Sequence, residues 1–113
     1  MESRKYNINS ADSESLFIEL KRYFTDNAWE KEIIHCKSDT METLVIVIER
    51  FFMRNNSTAS ATYTIVKEWE QIYVVVVAGG AGTGILNISF GAVSDIINDA
   101  ERTLLALGFK EVD

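Results

Sequence analysis

The chain has 113 residues, of which 47% are hydrophobic and 25% are charged, a length and balance that predict one soluble globular domain with a buried core. Its formal net charge of -6 disfavours nucleic acids and anionic membranes as partners, because both require a basic protein surface. The single cysteine cannot form an internal disulfide, and no apolar run resembles a signal peptide or a transmembrane helix. We therefore expect a cytoplasmic protein.

The N-terminal third of the chain predicts a strand, a helix and a second strand. Residues 4–8 suit a short strand, and residues 29–37 suit a second one that a turn follows. Between them, apolar residues recur at intervals of three and four, which predicts an amphipathic helix. Residue types that cap helices stand within residues 10–13, and the helix is expected to end near Asp26 or Asn27. Its apolar face consists of Leu16, Phe17, Leu20, Tyr23 and Phe24.

The middle of the chain predicts three successive strands. Residues 43–54 form a long run of β-favouring residues, and residues 60–69 alternate between apolar and polar side chains. An asparagine pair directly after the first run suits a hairpin turn, because asparagine tolerates the left-handed backbone conformation. A tight turn near residues 69–71 then leads into an apolar strand at residues 72–78.

The C-terminal third predicts a glycine-rich segment, a short strand and a second helix. Four of the six glycines of the chain fall within residues 79–84, and residues 85–90 suit the short strand. Gly108 is expected to end the helix in the left-handed cap conformation, which places Phe109 against Leu104. The apolar face of this helix consists of Val93, Ile96, Ile97, Ala100, Leu104 and Leu107.

The order of these elements indicates the fold class. Short links between successive strands imply antiparallel neighbours, so the chain is expected to be a single α+β domain over residues 1–113. The prediction is an antiparallel sheet of four to six strands with two helices packed on one face. Its topology is analogous to that of TATA-binding-protein-like or helix-grip folds.

Two strands of the expected sheet are apolar on both faces. A strand with one solvated face alternates between apolar and polar side chains, yet residues 44–48 and 73–78 are apolar throughout. Two helices cover only one face, so a second subunit, a small apolar ligand or the sheet curling on itself is expected to cover part of the other. Self-association as a homodimer is the favoured interpretation, because symmetric dimers dominate among oligomers. The interface is then expected at Val45, Val47, Val75 and Val77.

The glycine-rich segment after the apolar strand suggests a third interpretation, an anion or nucleotide site at residues 79–84. A phosphate-binding loop of the Walker type requires lysine and serine or threonine where this chain has Ile85 and Leu86. A bulge or a corner at the edge of the sheet is therefore favoured. The residues of the alternative anion site are Gly80, Gly82, Thr83 and Gly84.

No combination of residues predicts an enzyme, a cofactor or a metal centre. His35 and Cys36 are adjacent, and neighbouring side chains of a strand point to opposite faces, so they cannot form a catalytic dyad. We expect this pair to be packed or half-buried. Asp95 and Asp99 lie one helical turn apart, and with Arg102 they indicate a solvated helix face with an ion pair.

The chain resembles a family of small single-domain bacterial proteins of unknown function. The resemblance rests on the order of the elements, on the glycine-rich junction at residues 76–84 and on residues 87–91 before the last helix. It implies a bacterial cytoplasmic protein and assigns no catalytic residue. The sequence therefore predicts a non-enzymatic, self-associating interaction domain, with a carrier or sensor of a small apolar ligand as the alternative.

Overall fold

The computed structural model describes residues 1–26, 28–52, 57–80 and 90–113 of the chain. Six strands and two helices are formed within these residues. In chain order they are β1 (Glu2–Asn9), α1 (Ser13–Thr25), β2 (Glu30–Lys37), β3 (Met41–Phe52), β4 (Ser57–Glu68), β5 (Gln71–Gly80), α2 (Phe90–Ala106) and β6 (Lys110–Val112).

The six strands form one antiparallel sheet in the order β2-β3-β4-β5-β1-β6. Strands β2 to β5 follow one another as hairpins, whereas β1 lies between β5 and β6. The chain therefore crosses the sheet from β1 to β2 through α1, and it returns from β5 to β6 through α2. Because both helices pack on the same side, the predicted α+β architecture is confirmed.

The side of the sheet beneath the helices carries the core. One row of side chains runs across four neighbouring strands, from Leu44 through Ile65 and Val74 to Tyr6. None of these four residues is more than 1% exposed. Burial of an apolar side chain of this size contributes about 1.5–3 kcal/mol to the stability of the fold. We call this side of the sheet the helix side.

Both helices pack their apolar faces onto the helix side. The ring of Phe24 in α1 stacks on the ring of Tyr63 in β4, with centroids 4.1 Å apart and planes 14° apart. Stacked aromatic pairs of this kind add about 0.5–1.5 kcal/mol beyond the area that they bury. From α2, residues Ala92, Ile96, Ile97, Ala100 and Leu104 are buried against the same side of the sheet.

Two predicted core positions are exposed instead. Tyr23 is 43% exposed, and its ring lies edge-on against Phe24 at the rim of the core. Leu107 is 41% exposed because α2 ends at Ala106, so Leu107 no longer follows the helical periodicity that the prediction extended to it.

The predicted cap of α2 is confirmed at Gly108. Its φ is +100°, in the region that favours glycine, and its amide donates to the carbonyl of Leu105 at 3.1 Å. The next amide, that of Phe109, donates to the carbonyl of Leu104 at 2.9 Å. These two hydrogen bonds define a Schellman motif, in which the buried side chains of Leu104 and Phe109 accompany the turn.

The start of α1 is held by a hydrogen bond to the turn between β4 and β5 and not by a side-chain cap. Asp12 is the N-cap residue, but its side chain makes no capping hydrogen bond. The first helical residue, Ser13, is buried, and its hydroxyl donates to the carbonyl of Trp69 at 2.9 Å. Trp69 lies in the turn between β4 and β5 with a φ of +55°, and its own side chain is 72% exposed. This contact joins the start of α1 to the sheet.

The C-terminal part of the sheet differs from the prediction in two places. Strand β6 was not predicted, and it pairs with β1 at the edge of the sheet. Phe90, predicted as the end of a strand, begins α2. The rest of that predicted strand, residues 85–89, lies outside the described residues, and so does most of the predicted asparagine turn. Ser57, predicted in that turn, is the first residue of β4.

Candidate functional site

The side of the sheet opposite both helices is the candidate site, and we call it the open face. The strand register places the four predicted interface valines on this face. In each row, one valine of β3 and one valine of β5 lie on either side of a threonine of β4. Two such rows lie next to each other on the sheet. The rows are Val45–Thr64–Val75 and Val47–Thr62–Val77.

The apolar residues of the open face are partly or largely exposed: Val45, Val75 and Val77 are half-buried, and others are more exposed. Val47 is 38% exposed, and Tyr73 and Ile34 are 46% and 52% exposed. In contrast, Ile46 and Val76, on the helix side of strands β3 and β5, are fully buried. A contiguous apolar surface of this kind marks an interaction site more often than isolated exposed apolar residues do.

The charged residues of the open face lie at its periphery. The β2 edge is acidic, and a further glutamate neighbours it on β3. The opposite edge, formed by β1 and β6, presents lysines. The valine-rich rows of β3 and β5 between these edges carry no charge. The charged residues of this face in the described strands are Glu30, Glu32, Glu49, Glu68, Lys5 and Lys110.

An aromatic pair borders the open face near the acidic edge. The rings of Trp29 and Phe51 meet edge to face with centroids 6.1 Å apart. The amide of Trp29 donates to the carbonyl of Glu49 at 2.9 Å, which ties the start of β2 to β3. Trp29 and Phe51 are 63% and 44% exposed, so they extend the apolar surface of the sheet.

The first two glycines of the glycine-rich segment are regular strand residues. Gly79 pairs with Ser60 and Gly80 with Ala59, and neither glycine has a positive φ. A bulge or corner at these two positions was therefore the wrong interpretation, because the ladder between β4 and β5 continues through them. The remaining residues of the predicted anion loop, Gly82, Thr83 and Gly84, lie outside the described residues.

His35 and Cys36 lie on opposite sides of the sheet. His35 pairs with Leu44 on the helix side, and Cys36 pairs with Thr43 on the open face. Both residues are exposed, in contrast to the packed environment predicted for them, because β2 is an edge strand that α1 does not cover completely. Nε2 of His35 lies 2.6 Å from Oε2 of Glu42 on β3.

A surface pocket lies beside this histidine, between α1 and the strands β2 and β3. It encloses about 130 Å³. The ring of Phe17 lies against the pocket with its centroid 6.5 Å from that of His35. The residues that line the pocket are Phe17, Ile18, Lys21, His35, Glu42 and Leu44.

A second pocket of about 60 Å³ lies where α1 and α2 meet β3 and β4. Asp99 of α2 accepts from Arg50 of β3 at 3.1 Å and from Arg102 at 3.4 Å. The predicted helical ion pair between Asp99 and Arg102 is thus confirmed, and Arg50 extends it to the sheet. Burial raises the pKa of the neighbouring Tyr63 to about 12.

Tyr6 is the fully buried tyrosine at the centre of β1. Its hydroxyl has no hydrogen-bond partner among the described residues. Burial is the main reason that the pKa of Tyr6 rises to about 12, and the carboxylates of Glu101 and Glu111 add to the rise. A tyrosine in this environment stays neutral and acts as a core residue.

The described residues form neither a metal centre nor a membrane-spanning helix. Within the described ranges, no three histidine, cysteine or acidic side chains are grouped closely enough to hold a metal ion. Neither of the two described helices has the length and apolar character needed to cross a membrane.

Sequence reasoning identified the valines of the open face but missed the residues between and beside them. Thr62 and Thr64 were part of a recognised alternating strand, yet their place between the valine pairs depends on the register of β4 against β3 and β5. The pocket at His35 was also missed, because the contact between His35 and Glu42 joins two strands through a register that no local pattern indicates.

Comparison with known proteins places the chain in a family. No curated protein and no solved structure matches it. A family of unknown function (DUF6054) matches residues 12–108, which extend from the N-cap of α1 to the glycine that ends α2. The resemblance to a family of unknown function is therefore confirmed. The chain belongs to the DUF6054 family.

Proposed function

We propose that this protein is a non-enzymatic interaction module that forms a homodimer by packing two open faces together. The observation that carries the proposal is the uncharged apolar centre of the open face, which the register of three strands brings together. Exposure of this surface to water is unfavourable, and a second copy removes it from solvent on both sides.

The size of the open face suits a dimer interface. Six strands about 4.8 Å apart and four rows of side chains about 7 Å apart give a footprint of roughly 700 Å² per copy. A standard stable interface buries about 800 Å² per partner. A dimer interface of about this size therefore requires nearly the whole open face of each copy. Two such sheets pack with their strands nearly aligned and about 10 Å apart, as in a β-sandwich.

The distribution of charge favours one orientation of the two copies. A two-fold axis parallel to the strands brings the acidic edge of one copy, with Glu30 and Glu32, to the same side of the dimer as the basic edge of the other, with Lys5 and Lys110, although the glutamates lie one to three rows away from the lysines. A two-fold axis perpendicular to the strands stacks each edge on its own copy and brings like charges together. Because like charges across an interface are unfavourable, we infer the parallel axis.

Three pockets lined by described residues enclose about 60, 130 and 70 Å³ and are too small for a drug-sized ligand. Sites for drug-sized ligands enclose roughly 300–1,000 Å³.

The proposal includes a location in the bacterial cytoplasm. The exposed Cys36, without a second cysteine in the chain, supports the cytoplasm, and the resemblance in sequence supports the bacterial origin.

The proposal is tested by a charge placed in the centre of the open face. Val75→Glu and Val47→Glu are expected to convert the dimer into a monomer, because each buries two unpaired carboxylates at the interface. The matched control is Leu105→Glu, at a 50% exposed leucine of α2 on the other side of the sheet. Light scattering coupled to gel filtration gives the mass, and circular dichroism shows whether each variant is folded.

The expected result is a folded monomer for both valine variants and an unchanged dimer for Leu105→Glu. Thr64→Lys provides a fourth variant, since a long lysine side chain can reach solvent from a monomer even if a glutamate destabilises the sheet. If Val75→Glu, Val47→Glu and Thr64→Lys all remain folded dimers, the open face is not the interface.

A further inference from the structure

The pocket between α1 and the strands β2 and β3, which we call the α1 pocket, lies on the helix side and is separate from the proposed dimer interface. It encloses about 130 Å³. For comparison, an apolar cavity of about 150 Å³ accepts a benzene ring. The α1 pocket is therefore the size of a single ring or of a short branched chain.

The inner part of the α1 pocket is apolar. Phe17 and Leu44 form its base and are buried, with 6% and 1% of their surface exposed. Ile18 stands at the mouth and is 68% exposed, although it is a large apolar residue on a charged helix. A dimer built on the open face does not cover Ile18, so this exposed apolar surface is left to a different contact.

Basic residues lie in and near the α1 pocket in an acidic protein. Lys21 of α1 lines the pocket together with Glu42, and Lys31 and Lys37 of β2 occupy positions on the same side of the sheet. The chain as a whole has a net charge of -6, so this local group of basic residues runs against the overall balance. A concentration of basic groups beside an apolar pocket attracts an anion.

The acidic residue of the pocket is already partnered. Oε2 of Glu42 lies 2.6 Å from Nε2 of His35, and the side chain of Glu42 is 18% exposed. This contact fixes the imidazole ring and turns Nδ1, its other nitrogen, away from the carboxylate. Lys21 makes no ion pair with any described carboxylate, so its ammonium group is available to a ligand.

We propose that the α1 pocket binds a small monocarboxylate that carries one aromatic ring or a short branched chain. The apolar part of the ligand packs against Phe17, Leu44 and Ile18. Its carboxylate lies at the mouth, where it accepts from the ammonium group of Lys21, with the ring of His35 beside it. A charge-assisted hydrogen bond of this kind orients the ligand, and the apolar base selects its size.

The experiment is a titration of the full chain with benzoate, followed through its backbone amide chemical shifts. Benzyl alcohol is the neutral probe of the same size, and inorganic phosphate is the anion without an apolar part. Benzoate is expected to give saturable shifts at residues around Ile18, Lys21 and His35. Its dissociation constant is expected to be at least about tenfold lower than that of benzyl alcohol, and phosphate is expected to leave these residues unchanged.

Two variants at exposed positions separate the two parts of the site. Lys21→Met keeps the length of the side chain and removes the charge, so it is expected to weaken benzoate at least about fivefold and to leave benzyl alcohol unchanged. Ile18→Ser is expected to weaken both probes. Arg102→Met is the matched control, because it removes an exposed cation of α2 that lines neither the α1 pocket nor the open face, and it is expected to change neither.

Three results overturn the proposal. The first is the absence of saturable shifts at the pocket with benzoate. The second is equal binding of benzoate and benzyl alcohol, which removes the role of Lys21. The third is an equal loss of benzoate binding in Lys21→Met and Arg102→Met, which indicates only general attraction of anions. Each result is independent of the oligomeric state, so the outcome does not depend on the proposed dimer.

Discussion

Val45 of β3 and Val75 of β5 both pair with Thr64 of β4, one from each side, on the face of the sheet that no described helix covers. The three side chains form a continuous row, although they come from three separate strands. The next row repeats the arrangement with Val47, Thr62 and Val77. Two adjacent rows of β-branched residues give a flat surface that packs well against an identical surface.

The proposed orientation of the dimer predicts a specific cross-link. Cys36 and Lys110 lie in the same row of side chains at opposite edges of the open face. With the two-fold axis parallel to the strands, Cys36 of one copy lies over position 110 of the other. The variant Lys110→Cys is therefore expected to form a cross-linked dimer with a short bismaleimide, as seen on a denaturing gel.

The controls for this cross-link use the same two positions singly. The unmodified chain has only Cys36, and the double variant Cys36→Ser, Lys110→Cys has only the introduced cysteine. Neither is expected to cross-link efficiently. A strong cross-link in the unmodified chain would instead indicate that two β2 strands lie side by side, which contradicts the inferred axis.

The sequence predicted the helices and the central strands well because their signals are local. The periodicity of α1, the long apolar run of β3 and the glycine that ends α2 each depend on residues close together in the chain. Strand β6 was missed because its three residues carry no periodic signal, and its pairing with β1 joins the two ends of the described chain. Gly79 and Gly80 were assigned to a loop because glycine is rare in strands, whereas pairing with β4 keeps them in the sheet.

The cap of α2 predicts a clear difference between two glycine substitutions. Gly108→Ala is expected to lower the free energy of unfolding by about 1–2 kcal/mol, because an L residue is strained at positive φ. The added Cβ also lies 3.4 Å from Cδ1 of Ile8. Gly79→Ala is the control, since Gly79 has no positive φ and its nearest neighbour is the flexible side chain of Met1 at 3.5 Å.

Denaturation with urea measures both variants. Gly79→Ala is expected to change the free energy of unfolding by less than about 0.5 kcal/mol, the usual range for a substitution without strain. Equal effects of the two substitutions would show that the conformation of Gly108 does not contribute to the stability of α2.

The two buried tyrosines predict a loss of stability in alkaline solution. Burial raises the pKa of Tyr6 and of Tyr63 from 10.0 to about 12. Above pH 10 the unfolded chain releases these protons and the folded chain keeps them, so the free energy of unfolding falls as the pH rises from about 10 to about 12. The loss is expected to reach at most about 3 kcal/mol for each tyrosine, at about 1.4 kcal/mol for each pKa unit.

Urea denaturation at a series of alkaline pH values tests this expectation. Replacement of both tyrosines by phenylalanine removes the two titrating groups, so the free energy of unfolding of the double variant is expected to depend less on pH in this range. The exchange Tyr73→Phe, at an exposed tyrosine of the open face, is the control. An equally steep pH dependence in the double variant would contradict the assigned role of burial.

The candidate site was predictable in part, for a physical reason. The apolar character of residues 44–48 and 73–78 on both faces already indicates a surface that needs a partner, and the four valines follow from alternation. The charge of the two edges was not predictable, because Lys5 and Lys110 come from opposite ends of the chain and meet only through β1 and β6. The orientation of the dimer therefore depends on the topology of the sheet.

The mass of the unmodified protein in solution tests the central claim most directly. Sedimentation equilibrium over a range of micromolar concentrations is expected to give twice the chain mass of 12.8 kDa, with dissociation only on dilution. Raised salt is expected to weaken the dimer moderately, because the charged edges contribute less than the apolar centre. A folded species of 12.8 kDa at every concentration would contradict the account.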